Sequence, residues 1–295
     1  MSEKPRVLVT GGTGLIGTAV VRLLQDQGNE AVIFDLAGED KVRVGDVRDL
    51  AAVTDAADGC EVVVHLAGIA GPELAEPSHG YDINAHGTFT VFQAAVNAGA
   101  RKIVYASSIN ANGLPLGSEA VLPSHYPYDE YETTRIADWY SLSKVANEDA
   151  AHMISTRHGI QMTGIRFPLV RDITEKQGKT FAAHIRSVMD TAPARAAAEG
   201  WSYLHVEDAA RAVINAIEAR TPPAPGILVA APTTFLEVDT AEAIARDAPG
   251  VPSTVAGRDV GLDLGRSADW LGFEATTTLE RVAPHAIISR REWEA

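Results

Sequence analysis

Cysteine is almost missing from this chain: Cys60 stands alone among 295 residues, so no disulfide can close within one copy. It precedes the apolar run at 62–64, which predicts a buried, inert thiol. No run approaches the roughly 20 apolar residues needed to cross a bilayer. Met1 to Arg6 leads straight into an apolar strand pattern without a signal-like segment, and the expected compartment is the cytoplasm. Positive charge is the minority, 25 Lys and Arg against 39 Asp and Glu, for a net charge of −14. A nucleic-acid reader normally shows a basic face, so that balance disfavours nucleic acid and anionic membrane surfaces alike, and neither is an expected partner. The nine histidines show no metal-ligand spacing, and no metal site is predicted. Internal repeats, low-complexity tracts and long linkers are also lacking.

What is present is an ordinary globular composition, 46% hydrophobic and 22% charged. Short apolar runs alternate with helix-periodic segments through the first two-thirds. Strands are predicted at Arg6–Thr10, Ala31–Asp35, Val42–Gly45, Val62–Ala67, Lys102–Ser107 and Met162–Phe167. These runs are nearly continuous in apolar character, as in a parallel sheet covered on both faces. Their alternation with helices implies right-handed crossover units and a doubly wound α/β fold of the Rossmann type. Beyond Pro168 the texture changes: 168–203, like 114–135, is rich in Pro, Gly and charge and lacks strong periodicity. Helices are expected again near 207–219, 238–247 and 263–271, with a strand near 226–231. The expected organisation is a dinucleotide-binding domain, 1–167 with 204–231 returning to it, and a small interleaved substrate lobe, 168–203 and 232–295.

Thr10-Gly11-Gly12-Thr13-Gly14-Leu15-Ile16-Gly17 follows the first strand and opens the first helix. Glycine there lets backbone turn sharply and approach a pyrophosphate, while the helix N-terminus offers N–H groups and partial positive charge. Gly11, Thr13, Gly14, Leu15, Ile16 and Gly17 are therefore candidate cofactor residues. Asp35 ends the second strand, 24 residues after Gly11, where a carboxylate accepts from ribose hydroxyls and repels a 2′-phosphate. Leu36 and its neighbours Ala37 and Gly38 supply no cation for that phosphate, so NAD is favoured over NADP. Asp46 and Val47 are candidates for holding the adenine; alternatively Asp46 caps the next helix.

Tyr140-Ser141-Leu142-Ser143-Lys144 lies in a helical pattern, and the i, i+4 spacing puts Tyr140 and Lys144 on one face. A phenol titrates near 10 in water. A neighbouring ammonium and a cationic nicotinamide would favour the phenolate and make it a usable base. Tyr105-Ala106-Ser107-Ser108 ends the fifth strand, at the carboxyl edge where open α/β sheets bind ligands. A serine there can hydrogen-bond a reacting oxygen while Tyr140 takes its proton; otherwise the pair only satisfies backbone at a strand end.

Taken with His65-Leu66-Ala67-Gly68, Asn84-Ala85-His86-Gly87-Thr88, Arg166-Phe167-Pro168, His205-Val206-Glu207-Asp208 and Trp270-Leu271-Gly272-Phe273, these segments resemble the extended short-chain dehydrogenase/reductases, the NAD-dependent epimerase/dehydratase family. The resemblance covers essentially the whole chain. It implies NAD as cofactor, Tyr140 as general base or acid, Lys144 as the group that tunes it and bonds the nicotinamide ribose, and Ser108 as the hydroxyl that polarises the substrate oxygen. Asn84 resembles the family's asparagine that supports the lysine and a relay water. Leu66, Ala67, Gly68 and Phe167 would border the cofactor. Similar proteins pair through the helices starting near Asn84 and Tyr140, so a homodimer is expected.

Departures from the family pattern narrow the reaction. Dehydratases follow the serine or threonine with Asp-Glu; Ile109 and Asn110 stand here, and neither exchanges a proton. Keto-sugar epimerase-reductases use a Cys where Ile109 is. Only 39 residues separate Arg166 from His205, short for the nucleotide cradle of sugar-nucleotide epimerases and suited to a smaller substrate, as in the uronate-dehydrogenase-like branch. Arg171 offers a bidentate fork for a substrate carboxylate, or is a solvated loop charge. Ser108, Ile109, Asn110, Tyr140 and Arg171 are the candidate substrate residues. The expected activity is an NAD-dependent small-sugar, polyol or sugar-acid dehydrogenase. The alternatives are a nucleotide-sugar epimerase with tightly held NAD and a catalytically silent NAD-binding regulator, the latter disfavoured by the intact Tyr140 and Lys144. Tyr126, Tyr128 and Tyr131 either line the pocket or pack as a lid, and His205 and Asp208 are expected to anchor the second lobe.

Overall fold

The computed structural model describes residues 4–116, 120–222 and 225–294; the parts of the predicted ranges falling on 1–3, 117–119, 223–224 and 295 lie outside the described residues. In chain order come β1 (Val7–Thr10), α1 (Leu15–Asp26), β2 (Ala31–Asp35), β3 (Val42–Val44), α2 (Leu50–Ala57), β4 (Val62–His65), α3 (Pro77–Tyr81), α4 (Thr88–Asn97), β5 (Lys102–Ser108), α5 (Trp139–His158) and β6 (Gln161–Phe167). Then follow β7 (Val170–Arg171), α6 (Lys179–Thr191), α7 (Pro193–Ala198), β8 (Leu204–His205), α8 (Val206–Glu218), β9 (Ile227–Leu228), α9 (Thr240–Asp247), α10 (Gly265–Leu271), α11 (Leu279–Val282) and α12 (Arg290–Glu294). Among the described residues no helix is long and apolar enough to cross a membrane.

Seven strands form one sheet in the order β3-β2-β1-β4-β5-β6-β9, parallel from β3 through β5. Val7 faces Ala31 of β2 on one side and Val62 of β4 on the other. Every residue of β1 and β4 is buried, which explains why both read as unbroken apolar runs. The strand order reverses between β1 and β4, and that switch point opens a crevice at the carboxyl ends of the two strands. Thr10 and His65 end those strands.

The chain divides into two compact units: one holds the chain through Ser107 with Leu142–Ile165 and Ala210–Gly226, the other Ser108–Ser141, Arg166–Ala209 and the chain from Ile227. In the first, Leu8, Phe34, Val63, Ile103 and Tyr105 of the sheet pack against Val53 of α2, Phe92 of α4 and Ile154 of α5. In the second, Tyr126, Trp201, Tyr203, Phe181 and Ile185 pack with Leu236, Ile244 and Leu279.

Two local expectations need correction. The stretch 168–203, where no strong periodicity is expected, contains the thirteen-residue helix α6. Phe181, Ala182 and Ile185 are its buried stripe, with Val188 and Met189 packed behind them; Lys, Arg and His on the outer face mask a real helical period. The cap of α2 is Asp49, whose side chain accepts from the Ala51 and Ala52 N–H groups, and not Asp46.

Candidate active site

The glycine loop joins β1 to α1 by backbone packed on backbone. Gly11 has φ +71°, and a Cβ there would lie 2.5 Å from Ala67 N. A Cβ on Gly17 would lie 2.1 Å from Gly11 O. Only hydrogen fits at either position. The loop therefore lies directly against the segment after β4, with unpaired N–H groups of the first turn of α1 at its end. No side chain stands between this backbone and an approaching phosphate at Gly11 or Gly17, and the residues present fit a dinucleotide.

Asp35 meets that loop at the tip of β2. One carboxylate oxygen accepts from Thr13 N–H at 3.0 Å and Thr13 Oγ1 at 2.6 Å, and the other from Leu36 N–H at 2.8 Å. Leu15 and Leu36 are exposed beside it. Asp46 is bound by Arg48, whose Nη2 is 2.5 Å from Asp46 and whose Nη1 is 2.7 Å from Asp82. The Arg48 hydrogen bonds hold both carboxyls below the usual range. Val47 is buried, and its side chain occupies the space a Cβ on Gly87 would need.

Asn84 lies in a π-helical turn, Asp82–Gly87, between α3 and α4. Such turns are rare and recur at functional positions. Its amide closes a ring with one residue: Oδ1 accepts from Ile69 N–H at 2.7 Å and Nδ2 donates to Ile69 O at 2.9 Å. Gly68 has φ +157°, and a Cβ there would come 3.0 Å from Asn84 Oδ1. Leu66, Ala67 and Gly68 thus run between Gly11 on one side and Asn84 on the other.

His65 ties these pieces together from below. Its Nδ1 is 2.7 Å from Thr10 Oγ1 and its Nε2 is 2.9 Å from Thr88 Oγ1. Thr88 gives its hydroxyl proton to Asn84 O at 2.6 Å, so Nε2–H must donate to Thr88 and Nδ1 must accept from Thr10. Burial, and then the charge of Lys144, push this histidine down to about 3, which keeps it neutral in that tautomer.

On α5, Lys144 is buried and donates to Ala106 O at 3.0 Å, at the carboxyl end of β5. Burial pushes it down to about 8, against the opposing charge of Glu148. Ser107 donates to Glu148 Oε1 at 2.5 Å. Sequence reasoning missed Glu148, although one further helical turn past Lys144 reaches it.

In the second unit Ser108 is buried, and its Oγ accepts from Asn110 N–H at 3.2 Å, leaving its own proton to donate. Asn110 Oδ1 is buried and has no hydrogen-bond partner among the described residues. Ile109 is packed in the apolar cluster of this unit, so its side chain is a packing group. Tyr140 is 6% exposed, edge-on to Trp139, and Phe167 is buried. Arg171 is exposed on β7, opposite His205 on β8. Its guanidinium bonds only Val170 O, and no carboxylate pairs with it among the described residues. Tyr126 and Tyr128 donate to Ala197 O and Ala198 O, closing the end of α7. They are packing residues, whereas Tyr131 is exposed beneath the Arg266 guanidinium. His205 accepts from Ile173 N–H, and Asp208 accepts from Thr276 and Thr277 N–H, so both anchor backbone. Among the described residues no cluster of His, Cys, Asp or Glu could hold a metal ion.

Comparison with known proteins shows the family. The chain is 28% identical over 228 residues to an L-arabinose 1-dehydrogenase (NAD(P)(+)) of Haloferax volcanii, covering 75% of this chain and 85% of that one. It is 32% identical over 175 residues to an NAD-dependent glucose-6-phosphate dehydrogenase of the same organism, covering 54% of this chain and 66% of the relative. A short-chain dehydrogenase/reductase superfamily protein from Agrobacterium tumefaciens, solved with bound NAD, shares the fold with a TM-score of 0.72 at 23% identity over 97% of both chains. The model of the NAD-dependent epimerase/dehydratase family matches residues 7–231, and the chain belongs to that family.

Proposed function

We propose that this protein is an NAD-dependent dehydrogenase of a small sugar or sugar acid, with Tyr140 as base, Lys144 as its electrostatic partner and Ser108 as the hydroxyl on the reacting oxygen. The observation that carries this reading is the stripe on α5: Tyr140 lies one turn from a buried Lys144 whose ammonium is pinned on Ala106 O, two residues before Ser108. Engagement of Ser107 by Glu148 supports choosing Ser108 of the two serines.

The proposed cofactor residues are Gly11, Thr13, Gly14, Leu15, Ile16 and Gly17 for the pyrophosphate, Asp35 and Leu36 for the ribose, Asp46 and Val47 for the adenine. Leu66, Ala67, Gly68, Asn84 and Phe167 complete the set, with Lys144 and Tyr140 toward the nicotinamide. Bound NAD supplies the hydride acceptor. The carbinol proton passes to Tyr140 Oη as the carbonyl forms. Lys144 stabilises the phenolate before that transfer, and the Ser108 hydroxyl donates to the substrate oxygen throughout. Asn110 Oδ1 offers an acceptor for a second sugar hydroxyl, and Arg171 a fork for a carboxylate or phosphate.

Net dehydrogenation is supported by the two dehydrogenase relatives and by the segment between β6 and β8, where α6 and α7 pack into the core with Phe181, Ile185 and Ala197 buried. Apart from Tyr140 and Phe167, the proposed cofactor residues belong to the first unit, and the proposed sugar contacts belong to the second. A homodimer is also proposed, because Phe89 on α4 and Leu142 and Met153 on α5 leave large apolar side chains exposed. The cytoplasm is the proposed compartment, supported by the single, buried cysteine. The test is NADH accumulation across neutral sugars, uronic acids and sugar phosphates. Sustained NADH with one of these classes supports the proposal; inversion of a UDP-sugar with no net NADH overturns it.

A further inference from the structure

We propose that Glu148 is a positioning residue for the catalytic pair, holding Lys144 as an ammonium in the place where it acts on Tyr140; the proposal rests on the reading of Tyr140 as base. Tyr140, Lys144 and Glu148 follow one another at i, i+4 and i+8 on α5, so the three form a single stripe. Glu148 is 6% exposed and joins Glu130 and Asp208 among the buried carboxylates. A carboxylate removed from water needs both hydrogen bonds and an opposite charge to remain ionised. The hydrogen bond comes from Ser107 at 2.5 Å. The opposite charge is one turn away, on Lys144.

Lys144 has the complementary difficulty. It is buried, with Ala106 O as a neutral acceptor, and burial favours the uncharged amine, a form that stabilises no phenolate. Among the groups that act with it, Glu148 on its own helix opposes the effect of burial, and His65 on β4 is neutral. Glu148 supplies an opposite charge that favours the ammonium. The Ser107–Glu148 and Lys144–Ala106 bonds also fasten α5 to two consecutive residues of β5, immediately before Ser108, so charge and position are set by the same contacts.

The test is the pH dependence of kcat for substrate oxidation in Glu148→Gln, which keeps a partner for Ser107 and removes the charge. NAD affinity, substrate KM and the thermal midpoint serve as controls. The expected result is a kcat lowered about tenfold at neutral pH, with its ascending limb moved about one pH unit toward alkali and KM little changed. Glu148→Asp, which keeps the charge, is expected to restore the limb to within about half a unit. If the glutamine variant does not fold, Glu148→Met, uncharged and suited to a buried position, takes its place. A folded, uncharged variant whose limb stays at the wild-type pH overturns the proposal, whatever its stability. Full activity in Tyr140→Phe is a separate result that removes the base assignment itself.

Discussion

Gly17→Ala and Gly14→Ala change the same loop by the same methyl group, and the geometry predicts opposite outcomes. A Cβ at Gly17 would stand 2.7 Å from Gly12 Cα and 2.1 Å from Gly11 O, the latter more than an ångström inside ordinary contact. Both neighbours are backbone, so no rotamer relieves the clash; the loop must move off α1. Overpacking typically costs about 1–3 kcal/mol, and the upper half of that range applies where only backbone can yield. At Gly14 the Cβ meets Gly11 O at 3.2 Å, and the residue has φ −74°, which alanine adopts freely. The loss there is under about 1 kcal/mol, partly offset by a stiffer unfolded chain. Denaturant unfolding with and without NAD reads both effects. At a hundredfold excess over its Kd, NAD should add roughly 2.7 kcal/mol to the wild type and to Gly14→Ala. Gly17→Ala should lose about 2–3 kcal/mol without NAD and gain almost nothing from it. Equal behaviour of the two variants would refute the view that this loop is a backbone-packed cradle.

Other outcomes follow from single contacts. Asp35→Ser removes the charge beside Thr13, and the NAD-to-NADP ratio of kcat/KM should fall at least about tenfold, or ~1.4 kcal/mol; an unchanged ratio means the carboxylate does not face the 2′ position. His65 has a folded-state value of about 3, below its usual range, so the unfolded chain binds more protons as pH falls from about 6.5. Stability should then decline by up to ~1.4 kcal/mol per pH unit from this residue, and His65→Gln should flatten that limb in urea titrations. An identical acid slope in the variant means the imidazole is not held neutral. Arg171→Met should raise KM for uronic acids or sugar phosphates roughly tenfold, the scale of one charged hydrogen bond, and leave neutral sugars unaffected; a parallel rise for both would remove it from anion recognition.

Where one element carries both the pattern and the burial, the sequence was a good guide. β1 and β4 are buried along their whole length, and each declares itself by three apolar residues in a row. Gly11 and Gly17 are legible because backbone packing excludes every side chain. The i, i+4 relation of Tyr140 and Lys144 needs only a helix. What escaped depends on partners far along the chain. Ser107 and Glu148 are 41 residues apart, and Asp82 reaches Arg48 across 34, distances at which no local period speaks. The π-helical turn around Asn84 has no composition cue, because it inserts into what reads as continuous helix. Asp46 looks like a cap, but the cap falls three residues later at Asp49, since the Arg48 guanidinium occupies the Asp46 carboxylate.

The proposed base is a phenol on α5. Tyr140→Phe tests it with least disturbance, since the ring and its edge-on contact with Trp139 remain and only one oxygen is lost. With a substrate that yields NADH, the expected result is NAD binding within about twofold of wild type, and turnover lowered by at least the 10²–10⁴ typical of a lost general base. Turnover that persists at the wild-type rate in a variant that still binds NAD would contradict it.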